Sequence, residues 1–314
     1  MSADARVPVT VVTGALGAGK STLLSRWLAS GGERLALIVN ELGDVPLDGL
    51  LIRRADEDLI ELSNGCVCCT VRGDLVRTAT ELLRRRERWL RPARFDRIVI
   101  ETSGLAAPGP VVQSFLIDPE LAARTRPDGV IALVHAQHLA RQLTEEPIVA
   151  EQLASADLAV LNHLDRVNQS TADQAEATLR SLSPLLRVHR ATHADVPLTA
   201  LVNLEPSALP ERASEVHRHD VVAISLTATQ PVDLHRLKLW LHHVAARKTW
   251  QLLRLKAVVR CADRPRAVVA QGVYEWLELG PSALEPPEVS AVVLIGRGLD
   301  GDELKRGWAA VLRA

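Results

Sequence analysis

The sequence predicts an α/β fold with a mostly parallel sheet and helices on both faces, followed by a smaller C-terminal α+β domain. Up to Leu161, short apolar runs alternate with helical patterns, which is typical of parallel strands buried on both faces. Beyond a polar, proline-containing stretch, apolar runs follow one another with few helices between them. We therefore predict a first domain over residues 1–204, a linker over 205–220 and a second domain over 221–314.

Each element follows from its own run of residues. The predicted strands of the first domain are Val7–Thr13, Leu35–Val39, Leu59–Leu62, Arg97–Ile100, Gly129–Val134 and Leu158–Leu161. Its predicted helices are Ser21–Ala29, Leu75–Trp89 and Ile148–Ala154. The second domain is predicted to contain strand Val221–Thr227, helix Val232–Arg247, strands Leu252–Cys261, Ala267–Gln271, Tyr274–Leu279 and Ala291–Gly296, and helix Asp302–Leu312.

Composition narrows the class of protein. The 314 residues are 47% hydrophobic and 24% charged, with a formal net charge of −1, which is ordinary for a globular chain. This balance gives no electrostatic indication of a nucleic-acid partner or an anionic membrane. No apolar run reaches the ~18–20 residues that span a bilayer, and Met1–Val7 lacks the apolar core of a secretory signal. We therefore expect a cytoplasmic protein with neither nucleic acid nor membrane as partner.

The segment after the first predicted strand matches the Walker A phosphate-binding pattern, Gly-x4-Gly-Lys-Ser, at every constrained position. Its glycines let backbone N–H groups turn inward around phosphates, and the following helix adds a favourable dipole. The lysine is expected to reach the β- and γ-phosphates, and Ser21 to ligate Mg²⁺. The first domain is thus predicted to be a P-loop NTPase domain. The predicted nucleotide-binding residues here are Gly14, Gly17, Ala18, Gly19, Lys20, Ser21 and Thr22.

A second apolar strand ends in a carboxylate at Glu101, with a glycine three positions later. In P-loop NTPases an acid in this place holds Mg²⁺ or its water, and the glycine N–H can meet the γ-phosphate. Lys20, Glu101 and Gly104 are therefore the predicted catalytic residues.

A third motif, Asn162-His-Leu-Asp165, follows the strand Leu158–Leu161. It resembles the Asn-Lys-x-Asp motif with which GTPases recognise guanine, whose N1–H and exocyclic amine the aspartate binds. His163 stands where that motif has lysine, and an imidazole can also stack on a base. Asn162 and Asp165 therefore predict GTP as the nucleotide.

Three of the four cysteines lie together, at Cys66, Cys68 and Cys69. Thiolates are the preferred ligands of Zn²⁺ and similar soft or borderline ions, and Co²⁺ fits the same ligands. A closed tetrahedral site needs four ligands, so completion requires Glu41, a histidine, water or a second chain, the last implying a homodimer. An incomplete site suits an ion that is passed on.

Taken together, these motifs resemble the CobW family of P-loop GTPases, which are nucleotide-dependent metallochaperones. The resemblance covers nearly the whole chain. Asn40-Glu41-Leu42-Gly43 is similar to the family's switch I, Glu61–Thr70 to its Cys-x-Cys-Cys stretch, Glu101–Ala106 to its switch II, and Ile295–Asp300 to a segment of its C-terminal domain.

The resemblance implies a GTPase that binds zinc, cobalt or a similar ion at Cys66, Cys68 and Cys69, with Glu41 as a contributor from switch I. It also implies a client metalloprotein that receives the ion. Two departures concern the nucleotide: His135 stands where the family usually has aspartate, and His163 where it has lysine. They leave open an alternative, a nucleotide-binding regulatory protein with little or no hydrolysis.

Overall fold

The computed structural model describes residues 5–40, 50–53, 60–61, 71–88, 93–184, 186–204, 213–218, 220–282 and 284–312. The chain divides into two compact units. The first consists of Met1–Gln142, Ala156–Glu176 and Arg187–Glu205, and the second of Leu143–Ser155, Ala177–Leu186 and Pro206–Ala314. Two segments of the N-terminal part of the sequence thus cluster with the C-terminal residues, and the domain boundaries given above stay a prediction.

The described secondary structure alternates strands and helices in its N-terminal part. The strands there are β1 (Val7–Thr13), β2 (Leu35–Asn40), β3 (Leu50–Arg53), β4 (Ile60–Glu61), β5 (Arg97–Thr102), β6 (Thr125–His135), β7 (Leu158–Asn162) and β8 (Arg187–Arg190). The helices are α1 (Lys20–Ala29), α2 (Val71–Arg86), α3 (Gly109–Ile117), α4 (Pro119–Arg124), α5 (Leu139–Glu145), α6 (Pro147–Ser155), α7 (Gln169–Leu182) and α8 (Leu198–Leu201).

The described strands of the first unit form one sheet in the order β4-β3-β2-β5-β1-β6-β7-β8. In the part of the order from β2 to β8 all neighbours run parallel. At the other edge β3 pairs antiparallel with β2 and with β4. The predicted mostly parallel α/β sheet is confirmed. Since the carboxyl ends of parallel strands meet at one edge, the residues that follow β1, β5, β6 and β7 are brought together there.

The core of this unit lies where α1 packs on the sheet. Trp27 is 1% exposed and belongs to one buried cluster with Leu23 of the same helix and with Leu133 and Val160 of the central strands. The spacing of Leu23 and Trp27 along the helix places both on one face. This packing fixes the start of α1, and with it the turn that precedes the helix.

The C-terminal residues form a second sheet. Its strands are β9 (Ser214–Arg218), β10 (Val221–Ala228), β11 (Gln251–Val259), β12 (Val268–Val273), β13 (Trp276–Pro281) and β14 (Ser290–Arg297), and its helices are α9 (Leu234–Ala245) and α10 (Gly301–Leu312). The described strands are antiparallel throughout, in the order β13-β12-β11-β14-β10-β9. Leu237 and Leu241 of α9 and Trp308 of α10 share one buried cluster with β11 and β14. The predicted α+β character of this part is confirmed.

Two of the differences between the predicted and the observed elements have a clear physical reason. Helix α9 begins at Leu234, because Asp233 accepts a hydrogen bond from the Arg236 N–H and caps the helix. Strand β9 lies inside the range predicted as a linker, where it pairs antiparallel with β10. Its five residues, Ser214–Arg218, include a single aliphatic side chain, so the apolar pattern does not reveal it.

Helix α6 belongs to the second unit and packs against β10 and β11. Its Glu151 accepts a hydrogen bond from the Tyr274 hydroxyl. The other carboxylate oxygen of Glu151 accepts one from Nη1 of Arg297, at 2.7 Å. The Glu151 side chain is 9% exposed, so both bonds satisfy a carboxylate that is largely withdrawn from water.

Candidate nucleotide-binding site

The turn between β1 and α1 is built on glycines with left-handed backbone angles. Gly14, Gly17 and Gly19 have φ angles of 128°, 75° and 107°, which side-chain-bearing residues rarely adopt. A Cβ on Gly14 would lie 2.2 Å from the carbonyl oxygen of Leu133 in β6, so the position also has no room for a side chain. The turn then leads into α1, whose first exposed residues are Ser21 and Thr22. Strand, glycine turn and helix follow one another as the motif predicts.

Lys20 points back into this turn. Its side chain donates from Nζ to the carbonyl oxygens of Gly14, at 2.8 Å, and Ala15, at 3.2 Å. The residue is 8% exposed, and this burial lowers the pKa of its ammonium, while Glu101 acts in the opposite direction. A negatively charged ligand in the turn would therefore stabilise the charged form of Lys20.

Ser21 and Glu101 meet at the carboxyl ends of β1 and β5. The two strands pair in parallel with Val12 opposite Glu101, and the Ser21 hydroxyl lies 3.4 Å from Oε1 of Glu101. One hydroxyl and one carboxylate beside a phosphate-binding turn are oxygen ligands of the kind that Mg²⁺ prefers. The residues thus fit the predicted magnesium position.

Gly104 lies directly against the phosphate-binding turn. A Cβ at this position would be 2.8 Å from the backbone nitrogen of Leu16, so only glycine allows this approach. Ser103 closes the loop, since its carbonyl accepts from the Ala106 N–H at 3.0 Å. The loop after β5 therefore contacts the turn after β1, as the pairing of Glu101 and Gly104 with the Walker A segment predicts.

Asn162 holds this site together from the other side. Its side chain is buried, donates from Nδ2 to the Ala18 carbonyl at 3.0 Å, and accepts at Oδ1 from the Ala194 N–H at 2.8 Å. Both ends of the amide are thus engaged with backbone groups. The amide therefore ties the turn before α1 to the backbone after β8.

Asp165 lies on a short 3₁₀ turn, Leu164–Arg166, that follows His163. Its side chain is 37% exposed, and its Oδ2 lies 4.0 Å from Nε of Arg166. The carboxylate is accessible, as recognition of a base edge requires.

Three histidines also lie at this end of the site. His135 ends β6 and stacks on the ring of His163. The sequence marks both positions as departures from the family pattern, but His138 is not predicted to take part. The signal that could find this cluster is the register of β6 and β7, which places His135 opposite Asn162.

The predicted metal ligands Cys66, Cys68, Cys69 and Glu41 lie outside the described residues. Within the part of the chain that is described, no group of three or more His, Cys, Asp or Glu side chains is arranged to hold a metal ion. Among the described helices, none combines the length and apolarity that crossing a bilayer requires.

The fold and these contacts define a P-loop nucleotide-binding protein. A family model described as the CobW/HypB/UreG nucleotide-binding domain matches residues 8–190. A second model, described as the cobalamin synthesis protein cobW C-terminal domain, matches residues 221–312. The chain belongs to the CobW/HypB/UreG family.

Characterised relatives and a solved structure resemble most of the chain. The zinc chaperone YjiA of Escherichia coli is 30% identical, over 97% of this chain and 98% of that protein. The zinc chaperone CobW of Pseudomonas aeruginosa is 34% identical, over 66% of this chain and 62% of that protein. The crystal structure of Zn(II)-bound YjiA GTPase from E. coli superposes with a TM-score of 0.72 and 28% identity, covering 98% of this chain and 99% of that one.

Proposed function

We propose that this chain is a GTP-hydrolysing metallochaperone. It binds GTP and Mg²⁺ at the turn Gly14–Thr22, carries zinc or cobalt on Cys66, Cys68 and Cys69, and delivers the ion to a client metalloprotein. The family, and relatives named zinc chaperones and a zinc-regulated GTPase metalloprotein activator, support this function. The predicted cytoplasmic location and the homodimer remain part of the proposal.

The observation that carries the proposal is the contact between two loops at the phosphate end. The loop of Gly104 touches the backbone of Leu16, and Glu101 touches Ser21. A γ-phosphate held by the turn would therefore lie beside the loop after β5, which can respond to its loss. Order and disorder of such loops is the usual switching device of GTPases.

Each residue of the site would have its own role in GTP binding and hydrolysis. The Lys20 ammonium would leave the carbonyls of Gly14 and Ala15 to neutralise phosphate charge. Ser21 and Glu101 would hold Mg²⁺, which when bound neutralises charge that develops on the phosphate oxygens. The backbone N–H of Gly104 would orient the γ-phosphate, so loss of that group would release the loop.

The coupling between nucleotide and metal is the central test. We expect the affinity for Zn²⁺, measured by competition with a chromophoric chelator, to differ at least about tenfold between protein loaded with a non-hydrolysable GTP analogue and protein loaded with GDP, a typical size for linked sites. Alanine at Cys66, Cys68 and Cys69 together should abolish the binding. Cys261→Ala is the matched control, since Cys261 is buried in the second unit. Equal affinities in the two nucleotide states would refute the coupling.

One further measurement distinguishes the GTP-hydrolysing metallochaperone from the alternative, a regulatory protein with little or no hydrolysis. Release of inorganic phosphate from GTP, followed with and without Zn²⁺, distinguishes the two functions. A protein that binds GTP and Zn²⁺ but releases no phosphate over hours would be the regulator.

A further inference from the structure

Three imidazole rings lie in contact in the first unit, those of His138, His135 and His163, and we call this cluster the histidine stack. The ring centroids of His135 and His138 are 4.2 Å apart, with their planes inclined by 34°. Those of His135 and His163 are 4.1 Å apart, with planes inclined by 18°. The rings come from the end of β6, the turn after it, and the residue after β7, and the parallel register of the two strands brings them together.

His163 also contacts the phosphate-binding turn. Its Nε2 lies 3.3 Å from the carbonyl oxygen of Gly17. Because a carbonyl only accepts, Nε2 carries a hydrogen and donates in this contact. The other ring nitrogen, Nδ1, is buried and makes no hydrogen bond with any described residue.

His135 is the buried centre of the histidine stack. It is 5% exposed, and its Nδ1 also lacks a hydrogen-bond partner among the described residues. Burial lowers the pKa of His135 to about 4, and His163, His138 and Arg166 act in the same direction. Asp165 acts in the opposite direction and raises that pKa. The ring of His135 is therefore neutral at physiological pH.

The open end of the histidine stack is placed for a ligand. His163 is only partly buried, although one face of its ring is covered by His135. It stands in sequence between Asn162, which holds the phosphate-binding turn, and Asp165, whose carboxylate is accessible. A flat aromatic ring at this place offers a stacking surface to a nucleobase, since every base has a π face.

On the basis of the proposed nucleotide binding, we propose that His163 forms a stacking wall of the base pocket and that His135 and His138 are positioning residues that hold its ring in place. The nucleobase would stack on the face of His163 that His135 does not cover. Stacking of this kind raises the affinity for any purine, so discrimination between guanine and adenine rests on Asp165 alone.

The test compares three ligands by isothermal titration: GDP, ADP and magnesium tripolyphosphate, which has no base. The first variant is His163→Asn, because asparagine tolerates the left-handed backbone angle of His163, φ 61°, but has no ring. We expect it to weaken GDP and ADP by the same factor, about tenfold, as is typical of lost base stacking. Binding of tripolyphosphate should change less than twofold.

Further variants separate positioning from general damage. His135→Ala should weaken GDP about threefold to fivefold at unchanged tripolyphosphate affinity, and His135→Phe, which keeps a ring, should restore GDP binding. Asp165→Asn should weaken GDP but not ADP. His235→Asn is the matched control for His163→Asn, since His235 is exposed on α9, and it should alter none of the affinities.

The outcomes are distinguishable. If His163→Asn leaves GDP binding unchanged, or weakens GDP and tripolyphosphate equally, the stacking wall is overturned while the proposed function stands. If the wild-type chain binds neither GDP nor tripolyphosphate, both proposals are overturned. A common loss of GDP and ADP affinity at constant tripolyphosphate affinity supports the wall.

Discussion

The two ends of the nucleotide site are built in different ways. The phosphate end is one continuous segment of backbone, Gly14–Thr22, with a buried lysine at its centre. The proposed base end consists of side chains that follow β6 and β7, and the Asn162 amide joins the turn to the backbone of Ala194 after β8. A continuous segment carries its geometry in its own sequence. An end built from several segments depends on the register of neighbouring strands. The effects of two substitutions there are therefore expected not to add.

The largest expected effect falls at the phosphate end. Replacement of Lys20 by alanine removes the one buried cation in contact with the turn in the described structure. We expect the affinities for GDP and tripolyphosphate to fall together, by on the order of a hundredfold, as for loss of one partner of a buried charge pair. Isothermal titration measures both. Lys305→Ala, at an exposed ion pair with Glu215, is the control and should leave both affinities unchanged.

A smaller effect is expected where the two ends meet. Asn162→Ala leaves the Ala18 carbonyl and the Ala194 N–H without their partner. The free energy of unfolding, from urea titration, should fall by about 1–3 kcal/mol, the usual cost of buried unsatisfied groups. Unlike His163→Asn, this change should weaken GDP and tripolyphosphate alike.

The control for Asn162→Ala is Gln230→Ala, whose amide makes one exposed hydrogen bond, to the Leu312 carbonyl. If Asn162→Ala affected only the base-containing ligand, the amide would belong to the base end alone. Asn162 would then not connect the phosphate end with the base end.

A third effect, on the pH dependence of stability, concerns His135. Folded protein keeps His135 neutral down to about pH 4, whereas the unfolded chain takes up that proton near pH 6.5. Protons therefore favour the unfolded state as pH falls from 6.5 to 4, and stability is lost in that window. Between pH 7 and pH 5 this one group should cost about 2 kcal/mol. His135→Phe should reduce the pH dependence of urea unfolding by that amount, and an unchanged dependence would contradict the neutral state of His135 in the folded protein.

Much of the fold can be predicted from sequence, because its central strands are continuous apolar runs. Val7–Thr13 matches β1 in full, and the glycines that follow it in the sequence predict the turn. Strand β8, Arg187–Arg190, is missing from the sequence-based prediction, since it lies at an edge of the sheet and three of its four residues are polar. The site is predictable to the same degree: Lys20, Ser21 and Glu101 meet as expected. The histidine stack is not, because its members come from separate segments and only strand register joins them.

The packing of α6 on the second sheet decides how the chain can be truncated. A fragment that starts after residue 204 keeps every strand of that sheet but loses α6. Tyr274 and Arg297 would then lack the Glu151 carboxylate. The parts of β10 and β11 that α6 covers would become exposed to solvent and prone to aggregation. Expression of this C-terminal fragment alone should therefore give aggregated material, and supplying residues 143–155 as a separate peptide should increase the amount of soluble fragment.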